Sequence, residues 1–224
     1  MGDEVKGPAG PSRTYDSPVR RARARETERR VLAAADTTFA ELGYLGTSMA
    51  AIAERAGVDP RTVYKIFGTK VGLLSRLVDV AMVGDQEAIP VMERPWAIAA
   101  FDAPTAAERT SAFAAAVRRV MERAGGVFRT AAQAAMAEPE AAALWGLGQR
   151  KREQDATAFV AALGEAAMLR GDRTPVHAAA TVWLLASPET YLQLTEGLGW
   201  SLDEYERWLE RSLVDALLEP HSAR

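Results

Sequence analysis

Residues 47–74, TSMAAIAERAGVDPRTVYKIFGTKVGLL, decide how the chain folds. They predict two short helices joined by a tight turn and followed at once by a longer third. Thr47 suits an N-cap, because its hydroxyl can accept one of the N–H groups that a first turn leaves without a partner. Met49, Ile52, Ala53 and Ala56 then recur on one helical face. Gly57 stands where a helix stops in a left-handed residue, Asp59 can cap the next helix, and Pro60 fits its first position, where no N–H is needed. That second helix is too short to be stable alone, and Arg61, Thr62, Tyr64 and Lys65 mark its outward face. A short capped helix with cations and hydroxyls on its free side has the form of a helix-turn-helix reading head.

On the N-terminal side, residues 1–18 hold several Gly and Pro and few large apolar residues, which predicts a disordered tail. The run RRARARETERR at 20–30 leads into a helix whose Val31, Ala35, Phe39 and Leu42 recur at helical spacing up to Gly43. Phe39, Ile52, Val63, Phe67 and Leu73 are the expected core of the three-helix unit. On the C-terminal side, Thr69 caps a helix carrying Leu73, Leu74, Leu77 and Val80, which extends to about Ala88 before Pro90 and Pro95 interrupt it. Further helices are expected near 104–123, 125–137, 139–169, 175–196 and 202–218, with Pro188 kinking or splitting the fourth of these. The resulting division is a tail at 1–18, a helix-turn-helix domain at 19–68, a helical body at 69–218 and a frayed end at 219–224.

Composition agrees with an all-α fold and narrows the chemistry. The 224 residues are 48% hydrophobic, enough for a packed core, and the absence of cysteine excludes disulfides and thiolate catalysis. No apolar run approaches the roughly 18 residues of a membrane helix, and the polar N-terminus lacks a signal-peptide core, so a soluble, cytoplasmic protein is expected. The net charge of −3 is unevenly spread: residues 1–70 hold 12 Lys and Arg against 9 Asp and Glu, the remainder 15 against 21. Local field rather than total charge governs attraction to DNA, and the sign of the N-terminal part suits it. Enzyme readings are poor. His177 and His221 lie far apart, no spacing suggests a metal site, and Gly197-Leu198-Gly199 lacks the strand that precedes a dinucleotide loop. No cofactor is expected.

The N-terminal block resembles the TetR family of bacterial transcriptional repressors. The resemblance is carried by FAELGY at 39–44, Thr47-Ser48, Ile52-Ala53, Ala56-Gly57-Val58, Thr62-Val63-Tyr64, Phe67, Lys70 and Leu73-Leu74, in the family's order and spacing over about residues 25–75. Ile66 departs from it, standing where many members carry His or another polar or aromatic residue. SPETYLQL at 187–194 and GWSLDEYERWLERSL at 199–213 are similar to C-terminal helices of many members. The resemblance implies a homodimer with N-terminal DNA-binding domains and a larger helical body for ligand binding and dimerisation. It also implies repression from a palindromic double-stranded DNA operator, relieved when a small-molecule inducer binds the body. The alternative is an all-α small-molecule binding or catalytic protein whose N-terminal block no longer reads DNA.

Candidate residues follow. Thr47 and Ser48 lie at a helix N-terminus, whose N–H groups and partial positive charge suit a DNA phosphate, or they act simply as caps. Arg61 and Lys65, four apart, can reach guanine O6 and N7, the alternative being a solvated basic face. Thr62 can touch a base edge, and Tyr64 can reach phosphate or pack half-buried. Lys70 at a helix start is electrostatically awkward without an opposing anion, which points to a phosphate. Arg25, with Arg20, Arg21 and Arg23, could add phosphate or minor-groove contacts as an ordering arm, the alternative being a solvated basic tail. Phe113, Val117, Met121, Phe128, Met136, Trp145, Phe159 and Met168 are expected around a ligand cavity, ordinary core being the alternative for each. Two C-terminal apolar faces, containing Val182, Leu184, Leu185, Tyr191 and Leu194 and then Tyr205, Trp208, Leu209, Ser212 and Leu213, suit an isologous four-helix dimer contact.

Overall fold

The computed structural model describes residues 18–84, 93–165, 169–171 and 173–219. Most of the expected tail, the stretch about Ala88 and Pro90, Met168 and His221 lie outside the described residues. The first helix, α1 (Pro18–Gly46), is interrupted at Gly43, where φ 68° and ψ 176° break the helical path. This interruption transfers the buried position from Leu42, which is 54% exposed, to Tyr44, which is fully buried and stacks on Phe39 at 5.9 Å. The apolar stripe expected to include Leu42 therefore ends differently, because only glycine takes this conformation without strain.

Helices α2 (Met49–Ala56) and α3 (Pro60–Phe67) follow, and α2 ends in left-handed Gly57. The cap of α2 is Ser48, whose hydroxyl accepts from the Ala51 N–H at 3.1 Å, and not Thr47. The Thr47 side chain is buried and donates to the carbonyl of Gly43 at 2.8 Å, one of the groups freed by the break in α1. Asp59 caps α3 as expected, and Thr69 caps α4 (Lys70–Val83), which ends in left-handed Gly84 short of Ala88.

In the body, Pro95 starts a helix instead of interrupting one: α5 spans Pro95–Asp102 with the proline in its first turn. The expected break between 123 and 125 is absent. One helix, α6 (Ala106–Ala137), runs through Gly125-Gly126, started by a reciprocal cap between Thr105 and Glu108. Gly125 is a packing residue there, since a Cβ on it would lie 2.6 Å from the Tyr191 ring. Helix α7 (Pro139–Glu165) returns along it, followed by α8 (Pro175–Leu185). Ser187 and Pro188 split the next segment, beginning the short α9 (Pro188–Leu192), which widens into a π-type turn at Gln193–Gly197. The last helix, α10 (Leu202–Leu217), has a second reciprocal cap, between Ser201 and Glu204.

Two buried clusters organise these helices. The first joins Val31, Phe39, Tyr44, Ile52 and Val63 to Val71, Leu73, Leu74 and Leu77 of α4, and also takes in Val127, Ala134 and Ala141 of α6 and α7. The head's core thus does not close at residue 68. The second cluster centres on Phe159, Leu163, Tyr205, Leu209, Leu213 and Leu217. Full burial of a side chain such as Ile52 or Leu73 stabilises by roughly 1.5–3 kcal/mol. Such anchoring offsets the marginal stability of the eight-residue α2 and α3. Among the described residues no helix is long and apolar enough to cross a membrane.

Candidate nucleic-acid interface and the cavity behind it

Helix α3 buries only Val63 completely. Its other side presents Arg61, Tyr64 and Lys65 to solvent, with Thr62 half-buried, and Tyr64 is 54% exposed. Neither Arg61 nor Lys65 enters an ion pair among the described residues, so both cations are free to meet phosphates or base edges. At the start of α2, Ser48 serves Ala51, leaving the N–H groups of Met49 and Ala50 without intrahelical partners at the positive end of the helix. This keeps the anion-binding geometry expected of Ser48, while Thr47 is turned inward and offers no hydroxyl to a phosphate. Leu45 and Ile66, also exposed apolar residues of the head, were not among the expected contacts. Nothing in the sequence pattern distinguished Leu45 from core.

Lys70 departs from its expected role. Its ammonium donates to the carbonyls of Tyr44 at 3.0 Å and Thr47 at 3.1 Å and lies 4.0 Å from the Tyr44 ring centre. The negative partner that a cation at a helix start requires is therefore supplied from within the head. Other basic residues are likewise committed. Arg30 donates to the carbonyls of Ala56 and Gly57 at the end of α2, Arg55 pairs with Glu41, and Arg76 pairs with Glu28 at 2.8 Å. Arg20, Arg21, Arg23 and Arg25 occupy exposed positions in the first turns of α1.

Behind the head, α4, α6 and α7 enclose a cavity of about 310 Å³, lined by Val71, Leu74, Met82, Phe128, Trp145 and Gly148 among others. A second cavity of about 160 Å³ is lined by Phe113, Val117, Met121 and Trp96, and shares Met82, Phe128, Arg152 and Asp155 with the first. Five of the eight expected pocket residues thus line a cavity. Phe159 instead is buried core, stacked on Phe113 at 4.1 Å and edge-on to Phe101. Met136 points outward at 84% exposed from the last turn of α6, and Met168 lies outside the described residues. The polar groups of the wall were not anticipated. Burial pushes the Asp79 carboxyl up, opposed by nearby Arg76, and pulls the Arg152 guanidinium down. Arg152 donates to Gln149 and to the Trp183 carbonyl while lying over the Trp183 ring.

At the C-terminus, Val182, Tyr191, Tyr205, Leu209 and Leu213 are buried within the subunit and so fill its own core, although they were expected at a dimer contact. Leu185, Leu194, Trp208 and Ser212 are half-buried. The apolar stripe that α8 leaves to solvent is Val176, Ala180 and Leu184, residues four apart. The inward positions of both helices were the more apolar ones, and amphipathic spacing alone could not say which apolar side faces a partner.

A helix-turn-helix head whose core continues into an all-α body defines the fold class. Residues 31–77 match the family model of bacterial regulatory proteins, tetR family. The family match covers this N-terminal domain, and the fold of the whole chain is shared with solved structures. A protein assigned as a TetR-family transcriptional regulator from Mesorhizobium loti is 23% identical, with a TM-score of 0.60 and coverage of 88% of this chain and 99% of that one. NalD from Pseudomonas aeruginosa, described as the secondary repressor of the MexAB-OprM multidrug efflux pump, is 16% identical with a TM-score of 0.67 and coverage of 89% and 100%. A protein assigned as a transcriptional regulator from Saccharomonospora viridis, in complex with choline, is 17% identical with a TM-score of 0.67 and coverage of 88% and 100%. No curated protein matches the chain in sequence.

Proposed function

We propose that this protein is a homodimeric, cytoplasmic transcriptional repressor that leaves a palindromic operator when a small organic molecule occupies its body. The observation that carries this reading is the outer face of α3, where Arg61, Thr62, Tyr64 and Lys65 stand together on a helix held at its inner side by Val63. Paired copies of α3 enter successive major grooves about one helical turn of DNA, or a small multiple of it, apart. The cavity of α4, α6 and α7 supports a ligand response, since Val71 and Leu74 of its wall also belong to the core of the head. Proteins of the same fold provide a precedent in an efflux-pump repressor and a choline complex. The exposed Val176–Ala180–Leu184 stripe of α8, on a helix packed against α10, supports an isologous four-helix contact.

Selection from random DNA should enrich a palindrome, and its affinity should fall steeply as salt rises, because both subunits neutralise phosphates. Failure to enrich any sequence would reject DNA reading. Leu184, 58% exposed, tests the dimer: Leu184→Glu should give monomers in analytical ultracentrifugation with the helical content unchanged, and a persistent dimer would place the contact elsewhere.

A further inference from the structure

Tyr44 is fully buried, yet each of its polar atoms is held by a different part of the molecule. The hydroxyl donates to Glu138 Oε1 at 2.7 Å, the N–H donates to Gln133 Oε1 at 3.1 Å, and the carbonyl accepts from Lys70 Nζ at 3.0 Å. Gln133 lies in the last turns of α6, Glu138 is the residue between α6 and α7, and Lys70 opens α4. The same Lys70 ammonium reaches the carbonyl of Thr47, immediately before the cap of α2. Gly43 permits the close approach: its φ is 68°, and a Cβ there would stand 3.3 Å from Gln133 Oε1. The polar path thus runs from the α6–α7 corner, through Tyr44, to the backbone from which α2 and then α3 begin.

Apolar contacts between the head and the body can slide at little cost, whereas hydrogen bonds to a charged group have a fixed length and direction. Burial and the Glu138 carboxylate both push the Tyr44 hydroxyl above its ordinary range, so it remains a donor at neutral pH. The corner it grips is next to the cavity of α4, α6 and α7. Ala131, two residues before Gln133, and Ala141, three residues after Glu138, both line that cavity, and both also pack into the head's core. A molecule that displaces α6 or α7 there must move the two acceptors that hold Tyr44, or break its bonds.

We propose that Tyr44 is the positioning residue through which the α6–α7 corner, by Glu138 and Gln133, sets the placement of the DNA-reading helices according to what fills the cavity. This rests on the ligand-responsive DNA-binding reading above. Tyr44 itself touches neither DNA nor ligand; it acts through the α1–α2 connection.

The test needs no identified ligand. Gly148 lines the cavity, and a Cβ built there meets nothing within 4 Å, so Gly148→Phe fills the cavity from its own wall. Affinity for an operator selected with the wild-type protein is measured by fluorescence anisotropy for wild type, Gly148→Phe, Tyr44→Phe and the double variant. With Tyr44 present, filling should weaken binding about tenfold or more, and with Phe at position 44 by less than about threefold, a coupling within the usual range between linked sites. Glu138→Ala should also lose the response, and Glu138→Gln, which keeps an acceptor oxygen, should retain it. Thermal unfolding of each variant checks folding, and Glu138→Ala carries the test if Tyr44→Phe does not fold. An equal response in both backgrounds, or no response to filling in either, overturns the role of Tyr44. If the wild-type protein selects no operator, it is the DNA-binding reading that fails.

Discussion

The outer face of α3 and the junction behind it use cations in opposite ways. On α3, Arg61 and Lys65 stand in solvent and enter no ion pair among the described residues. Behind them, Lys70 donates to Tyr44 and Thr47, Arg123 to Ala81 and Met82, Arg109 to Ala103 and Ala162, and Arg152 to Trp183, every acceptor being a backbone carbonyl. Carbonyls at helix ends lack intrahelical partners, and a long cationic side chain can supply one from a neighbouring element. A cation committed to such carbonyls holds elements together, whereas one left in water remains available to an anion. Charge in the sequence is common to both groups; the partner decides the use.

The comparison is broken most directly on α3. Replacing both Arg61 and Lys65 with Ala should lower operator affinity by about 100-fold or more, since each base or phosphate contact of this kind contributes roughly 1–3 kcal/mol. The slope of log affinity against log salt should become shallower, because fewer phosphates are neutralised. Thermal unfolding should be unaffected, as neither side chain holds a neighbour. A double variant that bound normally but melted early would reverse the contrast.

Lys70→Met should do the opposite. It keeps the apolar stem and removes the ammonium, leaving the Thr47 carbonyl without that donor and the Tyr44 carbonyl with the Thr47 N–H at 3.3 Å. Unsatisfied buried groups of this kind cost about 1–3 kcal/mol, which urea unfolding would resolve. Any loss of operator affinity should come with an unchanged salt slope. A slope that flattens would show Lys70 neutralising a phosphate after all.

Gly125 sharpens the same lesson in the body and shows why that half was less legible. The head could be read because capping residues and apolar spacing are local signals: Met49, Ile52, Ala53 and Ala56 are all buried as their period requires. Even there the cap of α2 fell to Ser48 and Thr47 turned inward, because the break at Gly43 created acceptors that no local pattern contains. The break expected between 123 and 125 is absent, and the reason for glycine at 125 lies 66 residues away in Tyr191. Contacts of that kind are fixed by tertiary packing, as are the burial of Leu209 and the exposure of Met136. Gly125→Ala should therefore destabilise by roughly 1–3 kcal/mol as the Tyr191 ring is forced out of place, despite alanine's better helix propensity.

Gly148 gives the smallest effect and the control. It too lies inside a long helix, α7, but it is exposed at the cavity wall and a Cβ there meets nothing within 4 Å. Helix propensity alone then governs the outcome, so Gly148→Ala should stabilise by about 0.5–1 kcal/mol. One methyl group occupies little of a cavity of about 310 Å³, so operator affinity should stay the same while the unfolding midpoint rises. Two glycines in the body's paired long helices would then respond with opposite sign to the same substitution, the difference being the neighbouring Tyr191 ring. Destabilisation at both positions would mean that α7 packs against something at Gly148 that the isolated subunit does not contain, and a second subunit is the first partner to examine by repeating the unfolding at several protein concentrations.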